Sequence, residues 1–170
     1  MTSPSPSPAS TSTSTSSSGG AEAGSTRAET AALQEALAAE HAAVWGYGTV
    51  GAALAGADRT PVVAAAESHR DLRDQVAAVL TARGADPVPT QAAYQLPFPV
   101  LSAVDAARLA VALEEGTTSA WVWVLDQAAE RSVRETAVAA ACAAEVRAVS
   151  WRPQAGVTPV TTATPGLPAA

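Results

Sequence analysis

The chain contains no lysine: its 10 basic residues are all arginine, set against 16 acidic ones. The net charge of −6 argues against nucleic-acid binding, which is dominated by neutralisation of phosphates. There is one cysteine, Cys142, which excludes an intrachain disulfide and a thiolate metal cluster. It falls in a helical apolar run with Val138 and Val149, where the thiol is expected to pack as a small hydrophobe. Aromatic residues are only 4% of the 170, so Ala, Val and Leu must build the core. No stretch approaches the roughly 20 apolar residues that span a bilayer. The N-terminus lacks the basic and apolar regions of a secretory signal, so a cytoplasmic location is expected; a start lying upstream would instead make the protein exported or membrane-tethered. A glycine-rich phosphate loop between strand and helix is missing, as is any Ser-His-Asp arrangement in recognisable context.

What remains is helix-forming sequence in the amount of one domain, 48% hydrophobic and 15% charged. Residues 1–27 are almost wholly Ser, Thr, Pro, Gly and Ala, too polar to offset the entropy of ordering, and are expected to be a disordered tail. The spacing predicts a first helix from about Glu29 to Ala55, with Leu33, Leu37, Glu40, Val44 and Tyr47 in line. Gly46, Gly48 and Gly51 weaken its second half and permit close backbone approach. After a turn, with Thr60 as N-cap, a second helix carries Val62, Ala66, His69, Arg73, Val76 and Leu80 on one side and ends at Gly84. A third is expected from Ser102 to about Ala129. A fourth is expected to run to about Trp151 behind a Ser132–Glu135 capping box. Pro153 ends it, leaving 153–170 as an irregular tail and 28–152 as the bundle.

The segment from Gly84 to Ser102 is too long for a bundle turn. Extended, it reaches roughly 60 Å, against about 33 Å for a helix of some 22 residues. It is therefore expected to travel the length of the bundle with Tyr94, Leu96 and Phe98 packed inward. Short link, long link, short link gives an all-α, ferritin-like four-helix bundle with one crossover between helices 2 and 3.

From about Ala31 onward the chain also resembles a bacterial ferritin-like family, domain of unknown function 4439. The matching features are Ala36 to His41 (Ala-x-x-x-Glu-His), His69-Arg70, Gly84-Ala85-Asp86-Pro87, Tyr94-Gln95-Leu96-Pro97, Trp151-Arg152-Pro153 and Pro165-Gly166-Leu167-Pro168. The resemblance implies a ferritin-like fold and brings no established activity with it.

Each helix sets at least one ionisable side chain on its apolar stripe: Glu40, His69 with Arg73, Glu114 and Glu145. Charges inside a bundle must be paired, metal-bound or neutralised, so these five form the candidate polar core. Di-iron bundles use a Glu-x-x-His pair on each of two helices, and no glutamate here is followed three residues later by His. Counting outward from the turns puts Glu114 level with Glu145, and Arg73, not His69, nearest the height of Glu40. Arg73 is therefore expected where a metal would sit, bridging the carboxylates. Plainer readings leave Glu114 at solvent, Glu145 on Arg134, His69 as an ordinary core or boundary histidine, and His41 beside Trp45. An adventitious metal, iron or manganese, on Glu40, Glu114 and Glu145 is the alternative to a bundle without cofactor. Trp121 and Trp123, two apart on a helix, face different ways, and an exposed one is a candidate homodimer anchor.

The expected function is non-catalytic, through self-association or a protein partner. The alternatives are a metal-binding oxidoreductase or iron-handling protein with a degenerate site, and a carrier of small apolar ligands near Trp45, Tyr47 and the crossover.

Overall fold

A computed structural model describes Met1 and residues 18–54 and 59–167. Four helices account for the regular structure: α1 (Ser18–Ala53), α2 (Arg59–Ala82), α3 (Ala103–Gln127) and α4 (Arg131–Trp151). They form an all-α bundle, and no described helix is long and apolar enough to cross a membrane.

Contacts fix the directions. Glu29, Glu40 and Gly51 of α1 meet in turn Arg83, directly after α2, and His69 and Val62 within it, so these two helices are antiparallel. Glu40 and Tyr47 meet Trp121 and Glu114, so α3 also opposes α1. The connection between α2 and α3 starts beside Gln34, which bonds Asp86 and Val88, and passes His41 and Trp45. Leu96, Phe98 and Val100 then pack on the apolar cluster at the other end of the bundle. The expected crossover is thus present and lies along α1.

Local chemistry sets the helix ends. Ser102 caps α3 by accepting the Asp105 N–H at 3.1 Å. Gly84, at φ 71°, closes α2 in a Schellman turn: Ala85 N–H bonds the Leu80 carbonyl and Gly84 N–H that of Thr81. Gly46 lets α1 approach α3, since a β-carbon there would lie 2.6 Å from Leu113.

Several boundaries differ from expectation. Of the segment expected to be disordered, residues 2–17 lie outside the described residues, whereas 18–27 are helical as the first turns of α1. A helix already nucleated downstream propagates cheaply, and Ala, Glu and Ser tolerate it. The first interhelical turn falls largely on residues 55–58, outside the described set, as do 168–170. The capping box at α4 does not form, because Glu135 pairs with Arg131. Glu29 of α1 instead holds the chain leading into α4, its Oε2 accepting the N–H groups of Ala129 and Glu130 at 2.6 and 2.8 Å. The irregular residues after α4 are packed: Ala155 is buried, and the Arg152 guanidinium donates to the Val160 carbonyl at 2.7 Å.

The core has two apolar clusters, one around Leu37, Leu80, Trp121 and Val124, the other around Tyr47, Val50, Leu109 and Trp151. Between them lie the buried side chains of Glu40, His69 and Glu114. The helix pairs α1–α2, α1–α3 and α3–α4 pack closely, whereas α2 and α4 scarcely touch.

Glu29 is fully buried and also ion-paired to Arg83 directly after α2, so one carboxylate ties α1 to the end of α2 and to the turn before α4. Replacing Glu29 with Ala leaves Arg83 only the exposed Glu130 and strands two backbone donors, and is expected to lower stability by about 3 kcal/mol in chemical denaturation.

Candidate functional site: a buried carboxylate–imidazole–carboxylate bridge

His69 lies between Glu40 and Glu114, and all three side chains are fully buried. Its Nδ1 stands 2.6 Å from Glu40 Oε2 and its Nε2 3.3 Å from Glu114 Oε1. Two carboxylate oxygens facing the two ring nitrogens call for both protons on the ring. Burial opposes the charged imidazole, but the hydrogen bonds and charges of Glu114 and Glu40 outweigh it and raise the His69 pKa above 6.5. Burial likewise works against the Glu114 carboxylate. Hydrogen bonds from His69 and Arg147 and their positive charges reverse this, and its pKa is lowered.

The remaining partners come from every side. Arg147 of α4 donates from Nε to Glu114 Oε1 at 2.8 Å. Tyr47 of α1 gives its hydroxyl proton to the same oxygen, and burial together with the Glu114 charge holds that phenol protonated. Trp151 donates to the Tyr47 hydroxyl at 3.2 Å, and Trp121 to Glu40 Oε1 at 2.7 Å. Two carboxylates against one imidazolium and one guanidinium leave the cluster without net charge. Among the described residues Glu114 Oε2 and Arg147 Nη2 are buried without a partner.

Three of the five expected core residues, Glu40, His69 and Glu114, are thus brought together, and two are not. Arg73 does not bridge the carboxylates; it reaches toward solvent and bonds its neighbour Asp74 at 2.8 Å. Leu72 takes the inward place beside it and packs on the core. Glu145 is partly buried and paired with Arg152, whose guanidinium holds it bidentately at 2.7 and 3.1 Å and also binds Glu115. Glu145 therefore cannot join Glu40 and Glu114 around one ion. Arg147 was missed, although it continues the buried stripe Ala140, Ala144, Trp151 at steps of four, three and four. Trp121 is wholly buried, which removes it as an interface anchor, whereas Trp123 is half exposed. Cys142 is exposed, not packed. His41 bonds the Val88 carbonyl of the crossover at 3.2 Å.

The donor set does not suit iron or manganese. Both nitrogens of His69 are engaged by carboxylates, and a guanidinium stands against Glu114 where an ion would need a ligand. Among the described residues no group of three or more His, Cys, Asp or Glu is arranged to hold a metal.

A family model described as a domain of unknown function, number 4439, matches residues 32–169. The chain belongs to this family. A solved structure titled a conserved hypothetical protein from Mycobacterium tuberculosis is 40% identical, with a TM-score of 0.75 over 83% of this chain and 99% of that one. None of the curated proteins compared matches it.

In this family member the bridge couples folding to pH. The lowered Glu114 pKa contributes stability above the unfolded carboxylate value of about 4.3, lost as pH falls through the folded value. The raised His69 pKa contributes stability below about 6.5, lost as pH rises through its folded value. Denaturation midpoints are therefore expected to be highest between these limits. The alkaline decline should flatten in a His69→Gln variant, which is also less stable throughout.

Arg147 and Arg73 should behave oppositely on truncation. Arg147→Ala leaves a buried carboxylate underpaired and is expected to cost about 3 kcal/mol. Arg73→Ala removes a surface pair, for which about 0.5 kcal/mol or less is expected in the same urea titration.

Proposed function

We propose that this chain is a non-catalytic ferritin-like bundle that acts by associating with a second copy of itself. The observation that carries the reading is a contrast. Glu40, His69 and Glu114 are buried and charge-balanced, while α4 carries an exposed apolar stripe beside the open groove between α2 and α4. Support for the ferritin-like description comes from the antiparallel pairs α1–α2 and α3–α4 joined by one full-length crossover. Support for a non-catalytic role comes from the complete burial of Glu40, His69 and Glu114, each already engaged by its neighbours.

On the open side α4 presents Val138, Cys142 and Val146 at steps of four, with Val138 46% and Val146 69% exposed. Across the groove from Cys142 and Val146 lie Pro61, Ala64 and Ala65 of α2. A two-fold axis at Cys142 sets Val138 of one copy against Val146 of the other, so the stripe is complementary to itself, as a two-fold contact requires. Charge favours the antiparallel arrangement. Residues 136–144 carry none, and a parallel pairing would set Arg131, Arg134 and Arg147 against their own counterparts. Trp123 on α3 offers a second, separate apolar anchor.

A second reading rests on the same side of the bundle. Cavities of about 370, 400 and 530 Å³ line the α2–α4 groove, a size that suits small apolar ligands. They do not adjoin Trp45 and the crossover, where a carrier site was expected.

Light scattering of the full chain is expected to give a dimer, Val146→Glu to give monomers, and mild oxidation to link two chains through Cys142. A monomer at every concentration tested overturns self-association. An apolar molecule retained in native mass spectra, with the protein monomeric, favours the carrier.

A further inference from the structure

We infer that the polar core is a two-metal site rewritten in side-chain cations, and that Ala66, Ala144 and Arg147 are the three positions separating it from one that binds metal. The inference rests on the ferritin-like reading above and is independent of self-association.

Metal bundles of this connectivity draw one Glu from each of two helices and a Glu-x-x-His pair from each of the other two. Here α1 and α3 supply the single glutamates, Glu40 and Glu114. The other two helices supply a cation each at the histidine place. His69 of α2 contacts Glu40, and Arg147 of α4 contacts Glu114. Three residues before each, on the same inward face, stands an alanine: Ala66 at 7% exposure and Ala144 at 1%. The glutamates of both Glu-x-x-His pairs are thus replaced by methyl groups, and one of the two histidines by arginine.

Electroneutrality explains why the changes come as a set. Four carboxylates balance two divalent ions; two carboxylates balance one imidazolium and one guanidinium. Removing ions or carboxylates alone would leave several uncompensated charges in a dry interior, which no small bundle tolerates. The exchange is imperfect on one side only. The unpartnered buried atoms near the bridge, Glu114 Oε2 and Arg147 Nη2, both belong to the half in which arginine stands for histidine. The His69–Glu40 half has no such orphan among the described residues.

Cobalt(II) is a suitable probe, because its visible absorption reports coordination. The unmodified chain is expected to take up no stoichiometric Co(II), and its melting temperature to be unmoved by chelator. Stoichiometric Co(II) or iron on that chain, lost in Glu40→Gln, overturns the inference. The triple variant Ala66→Glu, Ala144→Glu, Arg147→His is expected to bind Co(II) at near two per chain and to melt lower when the metal is removed. A folded, helical triple variant that stays metal-free overturns it. The pair Ala144→Glu, Arg147→His keeps the His69–Glu40 contact and should take one ion; a folded pair variant that binds none also overturns it. Where either variant is unfolded without metal, refolding driven by Co(II) supports the inference, and a chain that stays unfolded with Co(II) present defeats it. None of these readouts depends on the oligomeric state, so a failed dimer test leaves them intact.

Discussion

The imidazolium of His69, held between Glu40 and Glu114, sets the terms for everything packed around it. Three elements meet there, and each contributes a group that is costly to bury alone. Desolvating one carboxylate costs several kcal/mol, so neither glutamate is tolerable without the shared cation, and two carboxylates need a second one. Arg147 provides it from the one helix not yet represented. Tyr47, Trp121 and Trp151 then use their polar tips on the cluster and their rings on the two apolar halves of the core. The aromatic residues, few as they are, thus sit where polar and apolar interiors join.

Ion pairs of the same kind recur at both ends of the bundle. Glu29 gathers Arg83 and the start of α4 at one end. At the other, Arg152 engages Glu145, Glu115 and the Val160 carbonyl with the fork of its guanidinium and holds the last irregular residues against α3 and α4. With Ala as the main filler, the apolar core is thin, and much of the specificity of helix register is carried by these three polar knots. The absence of lysine fits this use, since a planar fork satisfies two carboxylates where an ammonium does not.

The architecture was legible from spacing. Helix number, the long connection and the Ser102 and Gly84 ends all rest on local rules that tertiary packing did not override. Glu40, His69 and Glu114 were legible because each interrupts an otherwise apolar stripe. Partner choice was not. Counting from a turn near Asp58 put His69 roughly 10 Å from Glu40 along the axis at about 1.5 Å per residue. The helices instead end at Ala53 and begin at Arg59, which shifts the midpoint toward α1 and reduces that offset to about 5 Å, within reach of the two side chains. Height does not exclude Arg73, which lies level with Glu40 on the corrected count; rotation about the α2 axis does, since Leu72 faces the core and Arg73 turns to Asp74. Arg147 was hidden differently: its stripe on α4 is built from alanine, so periodicity there is faint, and the residue reads as one more exposed arginine. The helical turns at 18–27 were obscured by composition, because Ser and Gly signal disorder when read without the helix that follows.

α1 is the longest of the described helices, and among the described residues its turns ahead of Glu29 stand in solvent. Residues 22–27 are exposed on every side. From Ser18 to Glu29 the helix adds about 16 Å at 1.5 Å per residue, roughly half the height of α4 again. A rod of that length works as a spar. These turns prolong the axis of the helix that also supplies Glu29, Glu40 and Tyr47. Tension or a tether applied there would be felt directly along the element that the buried charges hold in place.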